Sequence, residues 1–305
     1  MRASLERAGR LRFDDGTPVR AASAVARLGD GWLVAQDDAT AAAWVRGTSV
    51  TRLRLLPPVE SRDVFAEADG TKHLKPDVEA CCQVEVAGAA GVLLLGSGSA
   101  AARMRAVLVL LDGPEPRVEV ADLTSLYAEV ASVLGLALDD LNLEGACRLG
   151  DRLRWFQRGV GTRVPSGSVD LDLDALLAYV VGGAAAPSVG DPRRYDLGEV
   201  EGVGLTVTDA VALPDGRVLV SAAAEDTPNN VDDGPVVGTA LVLLDDDGVL
   251  AVAPLPEPDG EPLKVEGLAL EEVLADGLRL RAVVDADDPE VPSDELVLRV
   301  TWEDQ

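Results

Sequence analysis

The chain has 305 residues, with 53 acidic against 27 basic side chains and a formal charge of −26, a balance that argues against nucleic-acid phosphates and anionic lipid as partners. A single histidine, His73, rules out every multi-histidine metal site and leaves one candidate for any serine or cysteine triad. Cys81, Cys82 and Cys147 lack the spacing of a zinc knuckle or redox motif and read as buried free thiols. No apolar run is long enough for a signal-peptide core or a membrane span, so a soluble cytoplasmic protein is expected.

Short runs rich in Val and Leu, closed by Asp-Gly, Gly-Asp or Gly-x-Gly turns, predict strands throughout. The first set runs over residues 19–38, where Gly29-Asp30-Gly31 joins two strands and Asp37-Asp38 ends the second, and continues near 43–45 and 50–56. The second opens at Asp77-Val78-Glu79-Ala80, passes through 92–95, stops at Gly96-Ser97-Gly98-Ser99 and adds strands at 104–111 and 117–120. Leu126, Val130 and Leu134 share a face and Asp122 can cap it, which predicts a helix over 123–134. The third set opens at Asn142-Leu143-Glu144-Gly145 and turns at Gly150-Asp151 into 152–158. A less regular region follows, with an apolar segment at 173–181 and an outer strand at 194–197, and residues 165–192 read either as a lid or as a blade insertion. The fourth opens at Thr208-Asp209-Ala210 and the fifth at Lys264-Val265-Glu266-Gly267.

Aligned on these openings, Ser23, Glu79, Glu144, Asp209 and Glu266 recur at intervals of 56, 65, 65 and 57 residues. Four strands in about 60 residues is the signature of a propeller blade. The expectation is an all-β fold, one propeller over residues 1–305, with five blades of four antiparallel strands starting near 20, 76, 141, 206 and 263, and short helical insertions. A sixth blade would require an irregular insert to hide it. The last repeat holds three strands, and residues 10–13 are expected to supply its fourth.

In a propeller the inner strand of each blade starts at one mouth of the central channel, and the second strand ends there. Glu79, Glu144, Asp209 and Glu266 would therefore converge. At ~5 Å and an effective dielectric of ~20, each ionised pair repels by about 3 kcal/mol, so a cation, protons or basic neighbours must offset the charge. Oxygen ligands without nearby His or Cys suit Ca²⁺ or Mg²⁺; the bland alternative is a ring satisfied by amides, arginines and water. Lys75, Lys264, Arg103 and Arg158 fall on the same face, as ion-pair partners or as contacts for an anionic ligand. Asp37 and Asp285 end second strands nearest the ring, and Glu225, Asp226, Asp287 and Asp288 make the rim acidic. The Gly96–Ser99 turn lacks the lysine and helix of a phosphate loop and reads as a tight turn.

The motifs KPDVEA with LLLGSGS, LNLEGA, TDAVALPDGRVLV, and KVEGLAL with VVDADD resemble those of bacterial propellers of the esterase-like phytase and SdiA-regulated type, and more distantly gluconolactonase and strictosidine-synthase-like propellers. That resemblance implies a divalent cation held by inner-strand acids, at positions matching Glu79, Glu144, Asp209 and Glu266. It departs from the lactonase pattern in having no asparagine among the ligands and five blades rather than six. The expected function is a metal-assisted hydrolase, lactonase- or phosphoesterase-like, acting on a small anionic molecule; the alternative is a noncatalytic propeller that binds a ligand or a protein partner.

Overall fold

The computed structural model describes residues 1–113, 115–159, 164–227, 234–285, 288 and 290–302. Among them lie five separate antiparallel sheets. The first strand of the chain, β1 (Arg2–Arg10), belongs to the last blade. Blade 1 is β2 (Ala22–Leu28), β3 (Gly31–Gln36), β4 (Ala41–Arg46) and β5 (Ser49–Arg54). Blade 2 is β6 (Val78–Val86), β7 (Ala89–Gly96), β8 (Arg105–Leu111) and β9 (Arg117–Asp122), followed by helix α1 (Thr124–Leu134). Blade 3 holds β10 (Leu143–Leu149), β11 (Arg152–Gln157), β12 (Ser166–Asp172), helix α2 (Leu173–Val180) and β13 (Val189–Tyr195). Blade 4 adds a two-residue strand, β14 (Glu199–Val200), to β15 (Val203–Ala212), β16 (Val218–Glu225), β17 (Val236–Leu244) and β18 (Val249–Pro254). In blade 5, β19 (Val265–Leu274), β20 (Gly277–Val284) and β21 (Asp294–Thr301) are completed by β1.

The ring is held by five apolar clusters, one between each pair of neighbouring blades. Ala24, Leu33, Cys81 and Val92 fill the first gap; Leu95, Tyr127, Trp155 and Leu176 the second, with both helices. Phe156, Val207 and Val220 fill the third, Leu219, Leu268 and Leu280 the fourth, and Val25, Trp32, Ala269 and Val283 the last. Each middle strand is therefore buried on both faces, which is why β7, β16 and β17 read as continuous apolar runs instead of alternating. Closure on the fifth gap removes the sheet edges that an open array would expose.

Three boundaries differ from expectation, and one is the outer strand of blade 3, which runs over Val189–Tyr195 and not over 194–197. The closing strand lies at Arg2–Arg10 and not at 10–13, because Leu11 and Phe13 leave the sheet and bury themselves between blades 5 and 1. The irregular region after Arg158 contains a regular third strand, β12, and the apolar segment at 173–181 is α2, whose start Asp172 caps through Ala175 N at 2.8 Å. Residues 165–192 are thus largely part of blade 3 and its strand connection. No helix among the described residues is long and apolar enough to cross a membrane.

Candidate functional site at the channel mouth

Every inner strand carries a β-bulge at the same place, and the bulged residues are Ser23, Glu79, Glu144, Thr208 and Glu266. A bulge re-aims one side chain and is frequent beside functional sites. Ser23 Oγ and Thr208 Oγ1 each donate to the backbone of the next blade, at Val78 O and Val265 O, both at 2.6 Å. The ring position in blade 4 is therefore Thr208, and Asp209 stands one residue further on. Its row is otherwise small: Ala24, Ala80, Gly145 and Gly267. A Cβ on Gly145 would stand 3.0 Å from Ala210 N, and one on Gly267 2.8 Å from Ala24 Cα. Asp209 is buried in this row, and its Oδ2 accepts the N–H of Leu268 in blade 5 at 2.6 Å, while Oδ1 has no partner.

Between blades 1 and 2 the mouth is built around a lysine. The connection from β5 to β6 crosses the face as a strap, anchored by fully buried Phe65, and delivers Lys75. Lys75 Nζ lies 2.6 Å from Asp77 Oδ1 and bonds Asp37 Oδ2. Asp77, at a left-handed φ of 56°, also receives Ser97, Ser99 (3.3 Å) and Arg103 (2.9 Å) on Oδ2. One oxygen each of Asp37, Asp77 and Glu79 lies within 4.8 Å of the others. Glu79 is half-buried and has no hydrogen bond or ion pair among the described residues. Beside this group, Arg20 binds Asp38 at 2.6 Å.

Blades 3, 4 and 5 form a second chain of charges. Arg158 donates to Glu144 Oε1 at 2.9 Å and also binds Glu225, Lys264 Nζ lies 3.4 Å from Glu225 and 3.0 Å from Glu266, and Asn142 Nδ2 donates to Glu144 Oε1 at 2.8 Å. Glu144 Oε2 is buried without a partner.

Among the described residues, eight carboxyl groups (Asp37, Asp38, Asp77, Glu79, Glu144, Asp209, Glu225, Glu266) thus face five cations (Arg20, Lys75, Arg103, Arg158, Lys264), three charges in excess. Burial and mutual repulsion push several of these carboxyls towards their neutral form. Burial, with neighbouring acids adding to it, raises Glu79 and Asp209 well above the usual carboxylate range. Burial takes Glu144 to about 7 against the pull of Arg158, and Asp38 to about 6, where Asp37 adds to it. Asp37 is raised, chiefly by burial. Burial works against ionisation at Asp77 and Glu225 as well, but Lys75 and Arg103 outweigh it at the first, Arg158 and Lys264 at the second, and both are held low.

The predicted ligands Glu79, Glu144, Asp209 and Glu266 share one mouth, but three of them are already engaged, with Arg158, Leu268 N and Lys264. Asp77 has cations on both oxygens. The donor set as paired does not fit a divalent ion without release of Lys75. Lys75, Lys264, Arg103 and Arg158 are carboxylate partners, and Asp285 sits half-buried just after β20; Asp287 lies outside the described residues. Ser97 is fully buried on Asp77 and His73 is exposed, so the two do not form a nucleophile and base. Asp77, Asn142, Thr208 and Arg20 were not singled out from the sequence. For Asp77 and Asn142 the signal was present, since both stand two residues before a ring glutamate.

The chain belongs to a family of unknown function, DUF6910, whose model matches residues 71–289. No curated protein sequence matches it. Among solved structures it is similar to the glutaminyl cyclase of Myxococcus xanthus, with TM-score 0.51, 9% identity, and coverage of 99% of this chain and 97% of that one. It is also similar to a mannose phosphorylase of Leishmania mexicana, solved in complex with a phosphate ion, with TM-score 0.50, 14% identity, and coverage of 96% and 88%. At these identities the likeness is one of fold.

Proposed function

We propose that this member of the DUF6910 family is a hydrolase acting on a small, neutral, oxygen-rich molecule at the channel mouth, with Glu79 as proton donor and Asp37 as base. The observation that carries this is the pair itself: two carboxyl groups with oxygens within 4.8 Å, Glu79 with no hydrogen bond among the described residues and pushed by burial towards its neutral form, and Asp37 beside the Lys75 ammonium. Adjacent acids with unequal environments are the usual means of dividing acid and base roles at neutral pH. Among the described residues, each of these five cations is paired with a carboxylate, which favours a neutral over an anionic substrate.

The cluster of Asp37, Asp77 and Glu79 also favours a second reading, in which these carboxylates, released from Lys75, would hold a divalent cation that would supply Lewis-acid polarisation. The likeness of the repeat motifs to gluconolactonase and esterase-like phytase propellers places lactones and esters first in a substrate panel, with glycosides beside them. Turnover is expected for a member of that panel, falling as alkali deprotonates Glu79, and lost in Glu79→Gln. A panel with no turnover, or Glu79→Gln at wild-type rate, overturns the assignment.

A further inference from the structure

The cluster best arranged for a metal already contains a cation. Lys75 reaches it from the strap, outside the blade repeat, with its side chain only 14% exposed and its Nζ between Asp77 Oδ1, at 2.6 Å, and Asp37 Oδ2. Its ammonium stands in the field of the third member, Glu79. The other anion-holding groups of the cluster, Ser97, Ser99 and Arg103, all crowd onto Asp77 Oδ2, leaving Oδ1 to the lysine alone. We infer that Lys75 is the resident cation of this cluster: its ammonium takes the place of a divalent ion among Asp37, Asp77 and Glu79, and those carboxylates accept such an ion once the ammonium is gone. Lys75 is then a positioning residue, which holds the Asp37 and Asp77 carboxylates on either side of its ammonium with Glu79 beside them. This rests on the acid and base roles proposed above, and it decides between the two readings of the cluster.

The test uses the full chain and the metals alone, with no substrate. Calorimetry with Ca²⁺ and Mn²⁺ is run on wild type, Lys75→Met and the double variant Lys75→Met/Glu79→Gln, alongside melting curves with and without metal. Methionine keeps the buried stem and removes the charge. Lys75→Met is expected to bind at least about 10-fold tighter than wild type, because a divalent ion no longer meets a fixed positive charge, and to melt higher when metal is added. Glu79→Gln in the same chain should abolish the gain. Wild type binding as tightly as Lys75→Met overturns the inference, as does a Lys75→Met protein that metal neither binds nor, if it is unfolded alone, restores. These readouts do not use turnover, so the hydrolase assignment can fail while this one stands, and the reverse.

Discussion

Replacing Arg158 by methionine should open the charge chain that ties blade 3 to blade 4. The guanidinium bridges Glu144 and Glu225, whose side chains are 7% and 3% exposed. Removing one partner of a buried pair costs about 3–5 kcal/mol, because the remaining charge keeps its desolvation penalty. Here the lower end applies, since Glu144 already titrates at about 7 and Lys264 still reaches Glu225 at 3.4 Å. At ~2.1 cal/mol/K per residue, the unfolding entropy of a chain this long is about 0.6 kcal/mol/K, so a loss of ~3 kcal/mol lowers Tm by about 5 °C. The pH dependence has a definite sign. Glu225 is held low in the folded wild type, so its stabilisation is present above its unfolded pKa and is lost as pH falls through the folded value. The variant lacks that contribution, so its deficit should be largest near pH ~8 and shrink towards pH ~4. Scanning calorimetry across that range tests this, with Arg158→Met/Glu225→Gln expected to recover part of the loss. A variant within about 1 °C of wild type at pH ~8, or a gap that widens on acidification, refutes the reasoning.

Gly267→Ala should destabilise by about 2 kcal/mol, because the added carbon stands 2.8 Å from Ala24 Cα, which is backbone of the neighbouring blade and cannot turn away; a denaturant midpoint equal to wild type would show that the inner strands have room to part. Asp209→Asn should match wild type near pH ~4 and exceed its stability near pH ~8, since a carboxyl whose folded pKa is raised costs stability above its unfolded value. Thermal melts at the two pH values check this, and a variant weaker than wild type at both contradicts a neutral Asp209.

The five-blade plan was legible because each blade repeats one physical requirement. An inner strand must begin with a polar residue at the channel and follow it with something small, so the Glu-Gly pairs at 144 and 266 mark places where the next blade's backbone comes within van der Waals range. The same rule explains the one-residue shift in blade 4. Thr208-Asp209-Ala210 offers two polar residues before a small one, and only the bulge, which hydrogen bonding across the strands sets, shows that Thr208 is the ring residue. Aspartate there occupies the small-residue row because its carboxylate reaches Leu268 N. Strand β12 escaped notice because Ser166, Gly167 and Ser168 lack the Val and Leu that mark its neighbours, although all three are buried. The pairing of Lys75 was the least legible part, because a strap of about 20 residues, whose regular structure is a short 3-10 helix at Lys72–Leu74, decides where it lands.

Strand β1 carries a consequence for how the ring is made. Arg2 pairs with Thr301 and Arg10 with Asp294, so bringing these segments together costs about 5 kcal/mol of chain-closure entropy before any contact rewards it. During synthesis from the N-terminus, β1 emerges long before its partner and waits until β21 has been made. Its sequence, RASLERAGR, suits that wait: four of nine side chains are charged, and only Ala3 and Leu5 are apolar residues turned partly inward. A strand so charged offers little to a second chain's sheet edge, so a segment that must wait long for its partner is poorly suited to pairing wrongly in the meantime.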